Sequence, residues 1–153
     1  KSVEINRPKQ ELYDFLKYCK NQDLFSVWNM ADPAQLKSFS GEDGTVGFIY
    51  SWDSTVKNVG KGSQEISKLV AGESIEFALR FEKPMKNTGI STFCLTETGP
   101  SQTKVTWNFS GPTKFPMNLF KGMFQKMLGK DLAQSLDNLK KHLEKKRLIL
   151  NQQ

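Results

Sequence analysis

Residues 116–147 read PMNLFKGMFQKMLGKDLAQSLDNLKKHLEKKR, and the spacing within them decides the fold. Leu119, Phe120, Met123, Phe124, Met127, Leu128, Leu132, Leu136, Leu139 and Leu143 recur every three or four residues, the period of one buried helical face. Lys121, Lys126, Lys130, Lys140, Lys141 and Glu144 take the other face. The spacing predicts one amphipathic helix of roughly 45 Å, longer than a small sheet needs. Its apolar band is widest in the first half, where Phe120, Met123, Phe124 and Met127 cover more of the circumference than a simple stripe requires. That half is expected to meet partly the sheet and partly a ligand cavity. Either Pro116 in the first turn or Asn118 as N-cap can begin the helix. Gly122 and Gly129 lie on nearly one face, and each costs about 1 kcal/mol relative to Ala inside a helix. They answer either to a close strand or bend, or to room for a ligand.

Upstream of the helix the period changes to two. Residues 103–110 carry Val105, Trp107 and Phe109 inward, and residues 90–97 precede them across the turn Thr98-Gly99-Pro100-Ser101. Residues 74–82 form the clearest strand, with Ile75, Phe77, Leu79 and Phe81 alternating with Glu76, Ala78, Arg80 and Glu82. Residues 63–70 and 45–52 read likewise, the latter with Val46, Phe48, Tyr50 and Trp52 on one face. At the start of the chain, residues 2–6 alternate as a short strand, and Pro8 opens a helix burying Leu12, Phe15, Leu16 and Cys19. Residues 21–39, with Phe25, Val27, Trp28, Met30 and Leu36 around Asp32-Pro33, fit short helical turns better than a strand. Trp28 either plugs the core there or lines the mouth of a cavity. Consecutive strands with short turns imply an antiparallel meander, so the class is α+β.

A chain of 153 residues suits one domain, 1–153, whose core needs neither disulfides nor metal. Eleven Phe, three Trp and three Tyr make that core aromatic. The net charge of +6 is scattered except over residues 140–147, where cations complement the end of the helix dipole. No basic and aromatic interleaving accompanies it, so a solvated helix end is expected and nucleic acid is not. Cys19 and Cys94 lack metal-ligand spacing and are expected to be separate, reduced and buried. No apolar run has the length of a membrane span or signal sequence. The chain begins with Lys1 rather than Met and its first strand starts at once, so a preceding segment, able to hold an anchor or an address, is expected to have been removed.

General acid–base chemistry needs a titratable group held in a pocket. His142, the one histidine, lies between charged neighbours near the helix end and is expected to be exposed. With no second histidine, no elbow motif and no ligand cluster, no catalytic residue, metal or cofactor is expected. Gln64 is the best polar candidate, because it shares parity with inward Ile66. Its amide either orients a ligand carbonyl or hydroxyl, or satisfies a strand edge or nearby backbone.

The element order and several local stretches carry a resemblance. Ile5-Asn6-Arg7-Pro8 enters the first helix, and Gly44-Thr45-Val46-Gly47 leads to Tyr50-Ser51-Trp52. Gly60-Lys61-Gly62-Ser63-Gln64-Glu65-Ile66 follows, and Leu128-Gly129-Lys130-Asp131 leads to Leu136-Asp137-Asn138-Leu139-Lys140. Over nearly its whole length the chain resembles the helix-grip, START-like (SRPBCC) superfamily, and within it the bacterial polyketide cyclase/dehydrase-like proteins. The resemblance implies a curved antiparallel β-sheet wrapped around the long C-terminal helix, with short N-terminal helices and a deep pocket for an apolar small molecule or lipid. Some relatives cyclise polyketides, others carry lipids, and a neighbouring branch assists a chaperone ATPase. The expected function is therefore apolar-ligand binding or transfer, with a polyketide cyclase/dehydrase-like enzyme and a protein-interaction adaptor as alternatives. Such relatives often carry a preceding membrane-spanning segment, so the full-length protein is expected to be cytoplasmic or membrane-anchored.

The expected site joins the two patterns. Phe48, Tyr50, Trp52, Gln64, Ile66, Phe77, Phe93, Trp107 and Phe109 come from the strands, Trp28 from the mouth, and Phe120, Met123, Phe124 and Met127 from the helix. They either fill the space as a solid core or line a cavity of roughly 300 to 1,000 Å³.

Overall fold

Alternation builds most of this molecule. The computed structural model describes residues 1–56, 59–83, 86–111 and 121–151, with side chains described for all of these except 121–127 and 146–151. Seven strands form one antiparallel sheet: β1 (Ser2–Ile5), β2 (Leu36–Ser40), β3 (Ile49–Asp53), β4 (Lys61–Val70), β5 (Ser74–Lys83), β6 (Asn87–Gly99) and β7 (Gln102–Ser110). They lie in the order β1-β7-β6-β5-β4-β3-β2, so β2 to β7 run as a meander and β1 returns to pair with β7. Register shifts at Lys61/Gly62 and Ile66/Lys68 interrupt the β4–β5 ladder. Such irregularities bend and twist strands, which lets the sheet curve.

The helices close the concave side: α1 (Lys9–Leu16), a 3-10 helix (Cys19–Leu24), α2 (Val27–Met30) and the long α3 (Lys121–Asn151). Pro8 stands just before α1 as its N-cap residue. In α3, Leu132, Leu136, Leu139 and Leu143 form one buried stripe, packed in the same cluster as Ile5, Leu12, Leu16, Phe25 and Val105. Polar clamps hold this half in place. The buried Arg7 guanidinium donates to the Leu143 carbonyl through Nε at 3.2 Å and Nη2 at 2.9 Å. Lys140 donates to the Glu4 carbonyl at 2.7 Å, the Asn6 N–H donates to Glu144 at 3.1 Å, and Asn138 donates to the Phe25 carbonyl at 3.1 Å. At Gly129 a Cβ would come within 3.1 Å of only the far end of the flexible Lys1 side chain, which can move aside. Any start of α3 at Pro116 or Asn118 lies outside the described residues.

Four expectations are corrected. Leu36–Ser40 is a strand, not part of a helical stretch. It is an edge strand exposed along its length, so it has no buried row to produce alternation, and its pairing with β3 defines it. Val46 is 60% exposed, because Gly44 and Gly47 take positive φ and turn the chain before β3 begins at Ile49. His142 is half-buried rather than exposed, its ring 5.7 Å from that of Phe15. Cys94 is half-buried, since it alternates with the inward Phe93 and Leu95, whereas Cys19 is fully buried. No helix among the described residues is long and apolar enough to cross a membrane.

Candidate functional site

The inner face of the sheet divides into a dry end and a half-open end. At the dry end Phe77, Phe93 and Trp107 are buried, Phe93 stacked against Trp107 at 4.5 Å and edge-on to Phe77 at 6.2 Å. Phe25, from the turn between the 3-10 helix and α2, covers both Phe93 and Trp107 with edge contacts of 6.2 and 5.9 Å. Phe48, Tyr50 and Ile66 are also fully or almost fully buried. These six expected site residues are brought together, and here they pack chiefly on protein side chains.

Trp28, Trp52 and Phe109 are instead half-buried, and Phe81, which the sequence reading did not assign to a site, joins them. Two inner-face glycines shape this end. A Cβ on Gly62 would lie 2.8 Å from the Trp52 ring, and one on Gly89 would lie 3.1 Å from the Phe109 ring. Each ring therefore leans over the glycine of the neighbouring strand, from opposite sides of β5. Leu79 and Phe81 occupy β5 between them, Phe81 paired with Gly62 and Leu79 with Gly89. The result is an apolar floor made of rings lying over glycines. The Trp52 indole N–H donates to the Val59 carbonyl at 3.1 Å, and that of Trp107 to Ser91 at 2.6 Å, so both indoles present only their ring surfaces. Trp28 meets Trp107 edge-on at 5.7 Å. Phe120 lies outside the described residues; Met123, Phe124 and Met127 fall on α3, but their side chains lie outside them too.

A polar cluster forms where side chains of the 3-10 helix meet those of β3 and β4. Gln64, 6% exposed, donates through Nε2 to Gln22 Oε1 at 3.1 Å. Asp23 Oδ1 accepts from the Tyr50 hydroxyl at 2.6 Å and from Asn29 Nδ2 at 2.9 Å, while Lys37 donates to Oδ2 at 3.0 Å. Burial, then the hydrogen bond and the charge of Asp23, push the Tyr50 hydroxyl well above its usual range. Burial, then the charges of Asp43 and Asp23, do the same to the Cys19 thiol. Tyr50 and Cys19 thus stay protonated at neutral pH, which makes the first a hydrogen-bond donor and the second a poor nucleophile. Gln22 and Asp23 were not singled out by sequence. In Asn21-Gln22-Asp23 nothing distinguishes them from a polar surface turn; Gln22 is buried in the folded chain, where its side chain meets Gln64 of β4.

A depression of about 360 Å³ lies mainly on the outer face, among Leu36, Ser38, Ser51, Ser63 and Arg80. Three of its charged residues are paired, Lys61 with Glu82 at 3.4 Å and Arg80 with Glu65 at 3.1 Å. Trp52 and Gly62 also line it, so it adjoins the edge of the floor.

The comparisons agree with this architecture. Residues 1–144 match the family model described as polyketide cyclase / dehydrase and lipid transport. No curated protein matches the sequence. Among solved structures, a conserved protein from Geobacillus kaustophilus is similar at TM-score 0.67 and 14% identity, over 94% of this chain and 93% of that one. The Aha1 dimer from Colwellia psychrerythraea gives 0.62 and 19%, over 94% and 93%. A protein from Mycobacterium smegmatis gives 0.58 and 14%, over 95% and 89%. At these identities the structural likeness speaks for the fold alone.

Proposed function

The chain belongs to the polyketide cyclase/dehydrase and lipid transport family, and from that premise we propose that it binds an apolar small molecule or lipid between the inner face of the sheet and the first half of α3. The observation carrying this reading is the half-buried aromatic floor of Trp52, Phe81 and Phe109, continued by Trp28, on a sheet whose other end is dry. In this reading Phe48, Tyr50, Ile66, Phe77, Phe93 and Trp107 are the rigid back wall and Gln64 marks the polar edge, while a roof from Phe120, Met123, Phe124 and Met127 is proposed from the sequence pattern alone, these side chains lying outside the described residues. Methionines in a roof adapt to ligands of different shape. Binding is favoured over catalysis because, in the polar cluster, the Asp23 carboxylate is engaged by three donors and the Tyr50 hydroxyl and Cys19 thiol are held protonated.

The test is uptake of an environment-sensitive apolar dye such as Nile red. The native protein should raise its emission, and Phe124→Trp should block uptake while unfolding stays cooperative. Failure of the native protein to take up either the dye or a fatty acyl lipid would end the ligand-binding reading.

A further inference from the structure

We propose that Gln22 and Gln64 form a carbonyl-reading corner of this site: the ligand presents a neutral oxygen acceptor, a ketone, ester or amide carbonyl, to Gln22 Nε2 at the end of an otherwise apolar body. This rests on the ligand-binding reading above. Gln22 is 4% exposed, and its Nε2 has no hydrogen-bond partner. Other buried polar side chains are engaged: Arg7 on the Leu143 carbonyl, Thr103 on the Arg7 carbonyl, Ser91 by the Trp107 indole, and Ser135 by the Val27 N–H. Native proteins leave few buried donors unpaired, and each one left calls for an explanation.

The donor is also pre-positioned. Gln22 Oε1 is held by Gln64 Nε2, and because a primary amide is planar, fixing its oxygen fixes the direction of its nitrogen. Gln64 in turn sits on β4 two residues from Gly62, paired with Tyr50 on one side and Leu79 on the other. Gln64, which holds the Gln22 amide, therefore stands one inward position along β4 from Gly62, where the floor begins with Trp52. A ligand meeting the Gln22 amide finds little reorganisation to do.

Charge narrows the class. Asp23, next in sequence, brings a carboxylate beside the corner. Arg7, the one buried cation among the described residues, is committed to Leu143 and Glu11. An anionic head group would meet the Asp23 carboxylate and would have to compete with it for Lys37, which is already paired to Asp23 at 3.0 Å, and a pure hydrocarbon would leave Nε2 unpaired. A neutral carbonyl oxygen supplies the missing acceptor without bringing a donor that needs a partner of its own.

Benzophenone and diphenylmethane differ only in the carbonyl and provide the test. Titrated calorimetrically into the native protein, the ketone should bind roughly tenfold more tightly than the hydrocarbon. Gln22→Met, checked for cooperative unfolding, should lose that preference while still binding diphenylmethane. The infrared carbonyl stretch of benzophenone bound to the unaltered protein is a readout that requires no variant, and it should be lowered relative to hexane. If the apolar dye binds but benzophenone shows neither preference nor a lowered stretch, the carbonyl corner is overturned and the binding site stands. If the dye and both probes fail to bind, both readings fall.

Discussion

Replacing Gly62 with Ala tests the floor at its tightest point. The added Cβ would lie 2.6 Å from the Arg80 carbonyl oxygen and 2.8 Å from a Trp52 ring carbon, where ordinary contact begins near 3.4 Å. The Arg80 oxygen belongs to the backbone of β5, so relief there means spreading the β4–β5 ladder. Trp52 can yield only by stretching its indole bond to the Val59 carbonyl. Overpacking of this kind costs about 1–3 kcal/mol. Gly62 does not take positive φ, so Ala also restricts the unfolded chain, offsetting about 0.4–1 kcal/mol. The net expectation is a loss of about 1–2 kcal/mol. Gly89→Ala, whose nearest contacts are both 3.1 Å, should stay within about 0.5 kcal/mol of wild type by the same reasoning. Urea denaturation gives both values, and the tryptophan emission of Gly62→Ala should move to the red as Trp52 leaves its seat. A Gly62→Ala protein as stable as wild type, with unchanged emission, would refute the claim that Trp52 lies over this glycine.

Arg7→Met removes the buried fork on the Leu143 carbonyl and should cost about 2–3 kcal/mol in denaturant unfolding, with Arg7→Lys nearly as costly because an ammonium cannot reproduce the fork. At Glu144 burial raises the carboxyl pKa, but Lys140, the Asn6 N–H and Arg7 outweigh it and hold it below the usual value of 4.5. A depressed folded pKa gives stability that is complete above the unfolded value and is lost as pH falls through the folded one. Glu144→Gln should therefore flatten the acid side of the stability profile below about pH 4.5, by no more than about 1 kcal/mol. Denatured, unreduced protein should titrate two free thiols; in the native protein half-buried Cys94 should react before Cys19, which is buried and held protonated. Equal native rates would contradict that order.

The elements with a buried row were legible from sequence, and those without one were not. In β5, Ile75, Phe77 and Leu79 alternate because one face is dry, and the strand is where the alternation places it. In β2 every residue is exposed, so the sequence carries no mark of the hydrogen-bond partner that makes it a strand. The stretches that carry the family resemblance are largely those that build the fold. Arg7 clamps α3, Asn138 holds the Phe25 carbonyl, and Gly62 seats Trp52. This is why the family could be read where the ligand could not. Trp52, Phe109 and Gln64 were found by strand parity. Phe81 sat in the same inward row but was passed over for the site, and Gln22 had no pattern to betray it, since its burial depends on a tertiary contact with Gln64.

On the proposed function, an apolar molecule occupies the space over this floor. Native mass spectrometry of protein purified from its own source, followed by extraction and identification of whatever is bound, tests it most directly. The expected result is a stoichiometric, uncharged, largely hydrocarbon molecule carrying a carbonyl, displaced by Nile red and absent from Phe124→Trp. Protein that runs at its bare polypeptide mass, and that takes up no apolar molecule when offered one, would contradict it.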